Sequence, residues 1–399
     1  MDVSFQVLEG EDVLKPILQP AAPPRFILEE LIEERKLTLD EASKGLSTLG
    51  KDESGVRYAY LMLTAADMML TDISVITNYN HLLFVDVRGN LLNLDALQVL
   101  ADIPFLLFIR AERNRLESAA LKPMPYLQVL ILNSNAIIET GEIHQRMLHT
   151  LELSENQIFT AQFVPDQLES LKELSMAGNH LLDTSGTFPA NVEKLYLCRN
   201  KIAKINTNFA LLPKLQVLHL RGNNIRKLSG FSPLSENLTY LNLRNNKITK
   251  MREFRKLGCL PNLDTLIMSE NPVCEQQLKQ TAMKGESDRG LTTDSDEDEM
   301  SGEGDDAPPI DIVRVRLLAM LPDLKRINKE QVGAEERLYA ETNKQALLDD
   351  VFVDESSEEE TEFVTTNYTS EFSDLDLDGA GHPVSEKSED FYSEAGDFR

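Results

Sequence analysis

Apolar and polar positions alternate along this chain in a pattern that repeats at a fixed long period. The motif L-x-x-L-x-L-x-x-N-x-L recurs nine times, its asparagines falling at Asn90, Asn114, Asn135, Asn156, Asn179, Asn200, Asn223, Asn246 and Asn271. Successive asparagines lie 24, 21, 21, 23, 21, 23, 23 and 25 residues apart. Within each copy the alternation has period two over a few residues, which is the signature of a short strand. Self-similarity at a period of about 20–29 residues marks a solenoid, because one unit cannot bury its apolar face alone and stacked neighbours supply a continuous core. The asparagine stands where the chain leaves the strand, and its amide can bond backbone groups of the bend that no ladder partner satisfies. Gly89, Gly178 and Gly222 each precede a repeat asparagine and belong to that bend. Repeats this short predict brief 3₁₀ or irregular return segments, with occasional helical turns.

The ends of such a stack need covers. Leu61, Leu63, Leu70 and Ile73 form a degenerate repeat without its asparagine. Thr38 and Glu41 make a capping-box pattern ahead of a helix predicted to run to about Leu49, and residues 26–36 read as a further helix. After Cys274 the pattern breaks into an acidic stretch rich in Gly and Ser. Apolar order returns at Ile310, Ile312, Val313, Val315, Leu317 and Leu318, followed by LLAMLPDLKRIN at residues 317–328. The predicted organisation is an N-terminal helical segment (1–57), repeats (58–274), an acidic disordered insertion (275–309), a C-terminal cap with a helix over 330–348 (310–348), and an acidic disordered tail (349–399).

Charge sharpens this division. The formal net charge is -26; residues 293–306 contribute -8 and residues 349–399 contribute -15, so the rest of the chain nets -3. The body is read as nearly neutral with acidic appendages. A basic footprint is not expected, and the net sign opposes binding of nucleic acid. Three cysteines, Cys198, Cys259 and Cys274, make no disulfide framework or zinc spacing and suit a reducing compartment. The opening residues lack a signal-peptide pattern, and the apolar runs are too short to cross a bilayer. A soluble intracellular protein is expected, with no membrane, small-molecule substrate or cofactor.

Residues between the strand leucines face the concave side of the coil. Two strips stand out there. Phe84, Phe108, Val129 and Ile131, with Arg110 beside them, make an apolar strip near the N-terminal end; Lys194, Tyr196, His219, Arg221, Tyr240 and Arg244 make a basic and aromatic strip further on. Exposed apolar strips mark partner sites, and Tyr and Arg are enriched at interface hot spots. The competing reading is a merely solvated sheet face. The six histidines fall at unrelated repeat positions and read as ordinary surface or turn residues, and no nucleophile elbow or phosphate loop is present, so neither catalytic nor metal-binding residues are assigned. Cys198 is read as an inert thiol. In the tail, four acid–phenylalanine pairs suit short docking elements or a solvating segment equally. Thr293, Ser295, Ser356 and Ser357 each have an acid three residues later, as an acid-directed kinase requires.

These repeats resemble the short leucine-rich-repeat class of about 22 residues per unit. The resemblance implies an α/β repeat solenoid, a horseshoe with a helical N-terminal cap and a C-terminal cap. The segment Leu321-Pro322-Asp323-Leu324-Lys325-Arg326-Ile327 resembles that class's C-terminal cap, with Asn328 where an acid is usual. Outside the consensus, GLSTLGKDESGVRYAYLML, LTDISVITNYNHLLFVDVRGN, RNRLESAALKPMPYLQ, HLRGNNIRKLSGFS, YLNLRNNKIT and the EER after the cap resemble the leucine-rich-repeat-containing protein 23 family over roughly residues 42–340. The acidic insertion and tail depart from that family's pattern. The resemblance implies a non-enzymatic radial-spoke scaffold of the axoneme in motile cilia and sperm flagella, with other axonemal proteins as partners. The periodicity alone fits equally a soluble adaptor that holds a phosphatase or another enzyme in its concave face.

Overall fold

The computed structural model describes residues 33–51, 55–274, 311–349 and 351. The predicted insertion, most of the tail, residues 26–32 of the first predicted helix and the four candidate phosphorylation sites lie outside the described residues.

Each repeat contributes a three-residue strand: β3 (Phe84–Asp86), β4 (Phe108–Arg110), β5 (Val129–Ile131), β6 (Thr150–Glu152), β8 (Glu173–Ser175), β10 (Lys194–Tyr196), β11 (Val217–His219), β12 (Tyr240–Asn242) and β13 (Thr265–Ile267). They stack in parallel and in order, with like positions paired, for example Leu195 with Leu218 and Leu218 with Leu241. β7 (Ala161–Gln162) and β9 (Gly186–Thr187) form a separate two-stranded sheet on the return side. The central residue of every repeat strand is buried, from Val85 and Ile109 through to Leu266. Other returns are short 3₁₀ segments such as Ser74–Asn78, Thr207–Leu211 and Met251–Cys259, and a helical turn occurs at Leu94–Gln98, as the short period implies.

The asparagine ladder ties one coil to the next. The Asn223 Nδ2 donates to the carbonyl of Leu220 in its own coil and to that of Leu197 in the preceding coil, each at 2.9 Å, and its Oδ1 accepts from the Ile202 N–H at 3.1 Å. The same double donation recurs at Asn156, Asn179, Asn200, Asn246 and Asn271. Presenting the amide this way bends the backbone sharply. The residue before each of the nine asparagines has φ between 54° and 71°. Three of those positions are glycine and six are not, so the ladder holds six side-chain-bearing residues in a left-handed conformation that is costly without support.

The N-terminal cover differs from expectation. Helix Leu39–Gly45 begins with the predicted capping box between Thr38 and Glu41. It stops at Gly45 rather than near Leu49, because residues Leu46–Lys51 form a strand, β1, antiparallel to β2 (Tyr58–Thr64). Gly45 sits where an added Cβ would lie 2.3 Å from the Thr64 carbonyl oxygen, so the chain crosses β2 at backbone contact there. Residues 33–36 are extended, not helical; Lys36 makes a parallel bridge with Asp72. β2 is the degenerate repeat, with Met68 at the asparagine position. Asn90 of the next coil keeps the ordinary rung, its Oδ1 accepting from the N–H groups of Met68 and Leu70 at 3.1 and 3.0 Å as Asn135 accepts from those of Asn114 and Leu116.

At the other end, β14 (Arg326–Ile327) extends the parallel sheet and β15 (Glu330–Gln331) turns back on it. The predicted helix over 330–348 therefore starts later, at Ala334–Thr342, since Glu330 and Gln331 are spent in the hairpin. Residues 344–349 are again helical, and Val351 is buried, so order runs slightly past the predicted start of the tail. Asn328 accepts from the N–H groups of Met268 and Ser269 at 2.9 and 3.0 Å, closing the exit of the last repeat strand. Helix Ile312–Met320 buries Arg314 beneath this hairpin. Its guanidinium meets Glu336 at 2.6 and 3.0 Å, Glu330 at 3.0 Å and the carbonyls of Ile327 and Gln331 at 3.2 Å. A buried cation with each of these groups satisfied locks cap to helix.

Two substitutions test this account. Leu218→Ala or Leu241→Ala removes a fully buried rung of the core and should cost about 2–5 kcal/mol in denaturant unfolding. Asn223→Ala leaves the Ile202 N–H without a partner and takes one of two amide donors from each of the Leu197 and Leu220 carbonyls, which Asn200 and Asn246 also serve, and should cost about 1–3 kcal/mol, although the side chain it removes is polar. A loss no larger than that of an exposed asparagine such as Asn224 would contradict the ladder's role.

Candidate interaction surfaces

The concave face is built from the residues that flank each central leucine. In its first strip Phe84 and Phe108 lie 6.2 Å apart between ring centres, and Val129 and Ile131 continue the apolar surface; all four are half-buried. Arg110 does not add free charge there, because it donates to Glu112 at 3.0 Å. That hydrogen bond raises its pKa.

The second strip is more aromatic and less basic than its composition suggests. His219 lies between Tyr196 and Tyr240, each ring centre 4.9 Å from the imidazole. Burial depresses the His219 pKa and raises those of both tyrosines. Lys194 is 3.4 Å from Glu173 and Arg244 is paired with Glu270. Arg221 is exposed and has no ion-pair partner among the described residues. Four concave-column positions contribute little open surface: Asp86, Asn242, Thr265 and Ile267 are buried.

Two features were not foreseen from the sequence. An open cavity of about 210 Å³ lies beside the first strands, lined by Leu61, Leu83, Leu107, Phe105, Tyr126, His81 and Lys51. Its clue is the twice-written Leu-Leu-Phe at 82–84 and 106–108, whose middle leucine exceeds what the core motif requires. The other feature is a local basic excess that the nearly neutral net charge of the body conceals. Residues 199–256 carry thirteen Lys and Arg against Glu236 and Glu253, a net of +11. Many follow the asparagines of repeats six to eight, so stacking gathers them into one band: Lys201, Lys204, Arg226, Lys227 and Lys247 are exposed there.

A family model described as leucine rich repeat matches residues 190–248. The chain is 33% identical over 315 residues to Leucine-rich repeat-containing protein 23 of Homo sapiens, an alignment covering 79% of this chain and 81% of that protein. The chain belongs to the leucine-rich repeat-containing protein 23 family. The bovine member (Bos taurus) is 34% identical over 170 residues, covering 42% of this chain and about half, 49%, of its own length. Among solved structures, an internalin from Listeria monocytogenes is similar, at 15% identity and a TM-score of 0.38, covering 72% of this chain and 88% of that one. No conclusion about function follows from that likeness.

Within this leucine-rich-repeat family the chain reads as a protein-interaction fold, and its remaining polar groups fit structural roles. Cys198 faces the concave side, and burial pushes its thiol pKa up, which disfavours the reactive thiolate. Among the described residues no group of three or more His, Cys, Asp or Glu is placed to hold a metal ion, and no helix is long and apolar enough to cross a membrane.

The stacked imidazole predicts a pH dependence. Its folded pKa lies below 6.5, so the unfolded chain takes up the proton first. Stability present above pH 6.5 should fall as the pH drops through the folded value. His219→Phe keeps a ring between the tyrosines and removes the titration, so the variant should lose less thermal stability than the parent between pH 7 and pH 5. An equal loss in both would show that His219 is not responsible.

Proposed function

We propose that this chain is a non-enzymatic scaffold of the ciliary and flagellar axoneme, a radial-spoke component that holds other axonemal proteins on its concave face. Membership of the leucine-rich repeat-containing protein 23 family supports the setting. The observation that carries the mode of action is the Tyr196–His219–Tyr240 stack, three rings on consecutive strands. Rings held by a parallel ladder lose little conformational entropy when a partner docks, so more of the contact energy appears as affinity. Arg221 beside them supplies the exposed charge that can pair with a partner carboxylate.

The test uses the full-length chain with Arg221→Glu and Tyr240→Ala, expressed in ciliated cells. Cooperative unfolding should persist. Recovery of spoke proteins with the chain from salt-extracted axonemes should fall about tenfold or more, the scale of a lost interface hot spot. Unchanged recovery would remove the concave face from the reading. Finding the parent chain in the soluble fraction with a phosphatase or another enzyme would replace the axonemal scaffold with an adaptor.

A further inference from the structure

The basic band on repeats six to eight is separate from the concave strip and has a ready occupant. Lys204, Lys227 and Lys250 hold the same position in three successive coils. The backbones of those coils are joined one to the next by Asn224 N–H to Ile202 O at 2.8 Å and Lys247 N–H to Ile225 O at 2.9 Å. Coils so joined are about 5 Å apart. Like charges stacked at that spacing repel and destabilise the pair; the coil before them carries Asp183 at this position instead. Lys201, Lys204, Arg226, Lys227 and Lys247 have no ion-pair partner among the described residues. A column of this kind is stabilised by an extended polyanion laid along it.

We propose that the polyanion is the chain's own C-terminal tail, residues 352–399, bound in cis along this band. Those residues carry fifteen acids against Lys387 and Arg399, a net of -13, which more than matches the five exposed cations of the band. The tail is rooted at the right end of the molecule. Val351 is buried in the cap, helix Ala334–Thr342 packs on helix Ile312–Met320, and that helix packs on the Met251–Cys259 turn, which carries Arg252 and Arg255. A random-coil chain of 48 residues spans roughly 40 Å end to end, against about 10 Å across three coils. Tethering raises the local concentration of the tail to the millimolar range, which favours it over an acidic peptide from another protein. The overall charge of -26 disfavours nucleic acid as the occupant. The proposal rests on charge and reach and does not depend on the axonemal reading.

Zero-length carboxyl–amine coupling of the dilute full-length chain, read by mass spectrometry on a mixture of isotopically light and heavy protein, tests it. Lys204, Lys227 and Lys247 should couple to carboxylates of residues 352–399 within one chain at low salt. The yield should fall about tenfold or more at 1 M salt, where the screening length is about 3 Å. Coupling at Lys204 should fall similarly in Arg226→Glu/Lys227→Glu/Lys247→Glu, whose changes are all at exposed positions. The salt series on the unaltered chain stands even if that variant does not fold. Coupling to amines elsewhere, coupling between light and heavy chains only, or a yield indifferent to salt would overturn the proposal. Abolition of the tail coupling by equimolar duplex DNA at physiological salt would also overturn it, by showing that nucleic acid is the preferred occupant.

Discussion

The rest of this fold hangs on one polar interaction, the amide ladder of the repeat asparagines. A parallel sheet of three-residue strands is a weak frame, since each coil shares only a few backbone hydrogen bonds with its neighbour before the chain must turn away. The turn exposes carbonyls and N–H groups to an apolar interior, where an unpaired group costs about 1–3 kcal/mol. Asn223 answers both needs, because one Nδ2 reaches the carbonyls of Leu220 and Leu197 and one Oδ1 takes the N–H of Ile202. No other uncharged side chain of that length offers donor and acceptor in one plane except aspartic acid in its protonated form, which is not available near neutral pH. The recurrence of asparagine follows from that chemistry, and the left-handed residue ahead of each one is its conformational cost.

Both ends of the ladder show the same constraint. At the first coil the position is Met68, which can do none of this, yet its N–H and that of Leu70 are still taken by Asn90, because each rung's acceptor comes from the following coil. At the last coil the Asn328 side chain takes the N–H groups of Met268 and Ser269 at the strand exit, where no further repeat follows to pair them. The resemblance at the cap leads one to expect an acid there, yet an amide oxygen accepts from the same backbone donors as a carboxylate would, so the departure changes the residue and not the contact.

The repeats were legible in the sequence because each leucine and asparagine has one job, repeated nine times. What was not legible depends on neighbours rather than on period. Leu46 to Lys51 have no strong strand pattern, and they pair as a strand because β2 offers an open edge and Gly45 permits the close crossing. Asn242 and Ile267 occupy concave columns but are buried, as Asp86 is near the other end of the sheet, and no single repeat records this. The basic band escaped notice because charge summed over the body cancels: residues 199–256 are strongly positive while the rest of the body is negative. Only stacking shows that Lys204, Lys227 and Lys250 share a column. The acidic insertion and the phosphorylation candidates stay as the sequence presents them, since they fall outside the described residues.

Charge placement also decides what kind of binding each surface supports. The concave strip was expected to be basic, yet Glu173 and Glu270 neutralise Lys194 and Arg244, and burial keeps the His219 imidazole uncharged near neutral pH. What it presents is a row of rings with one exposed guanidinium, and contacts of that kind act at short range and respond weakly to salt. The band behind the asparagine turns is the reverse, with several exposed cations and few rings, so its interactions act over a Debye length and weaken as salt rises. A partner seated on the rings and a polyanion drawn to the band therefore do not compete for the same physics. The two surfaces meet at the strand ends, where Arg221 lies on the concave side of the turn that carries Asn224 and Arg226 on the other.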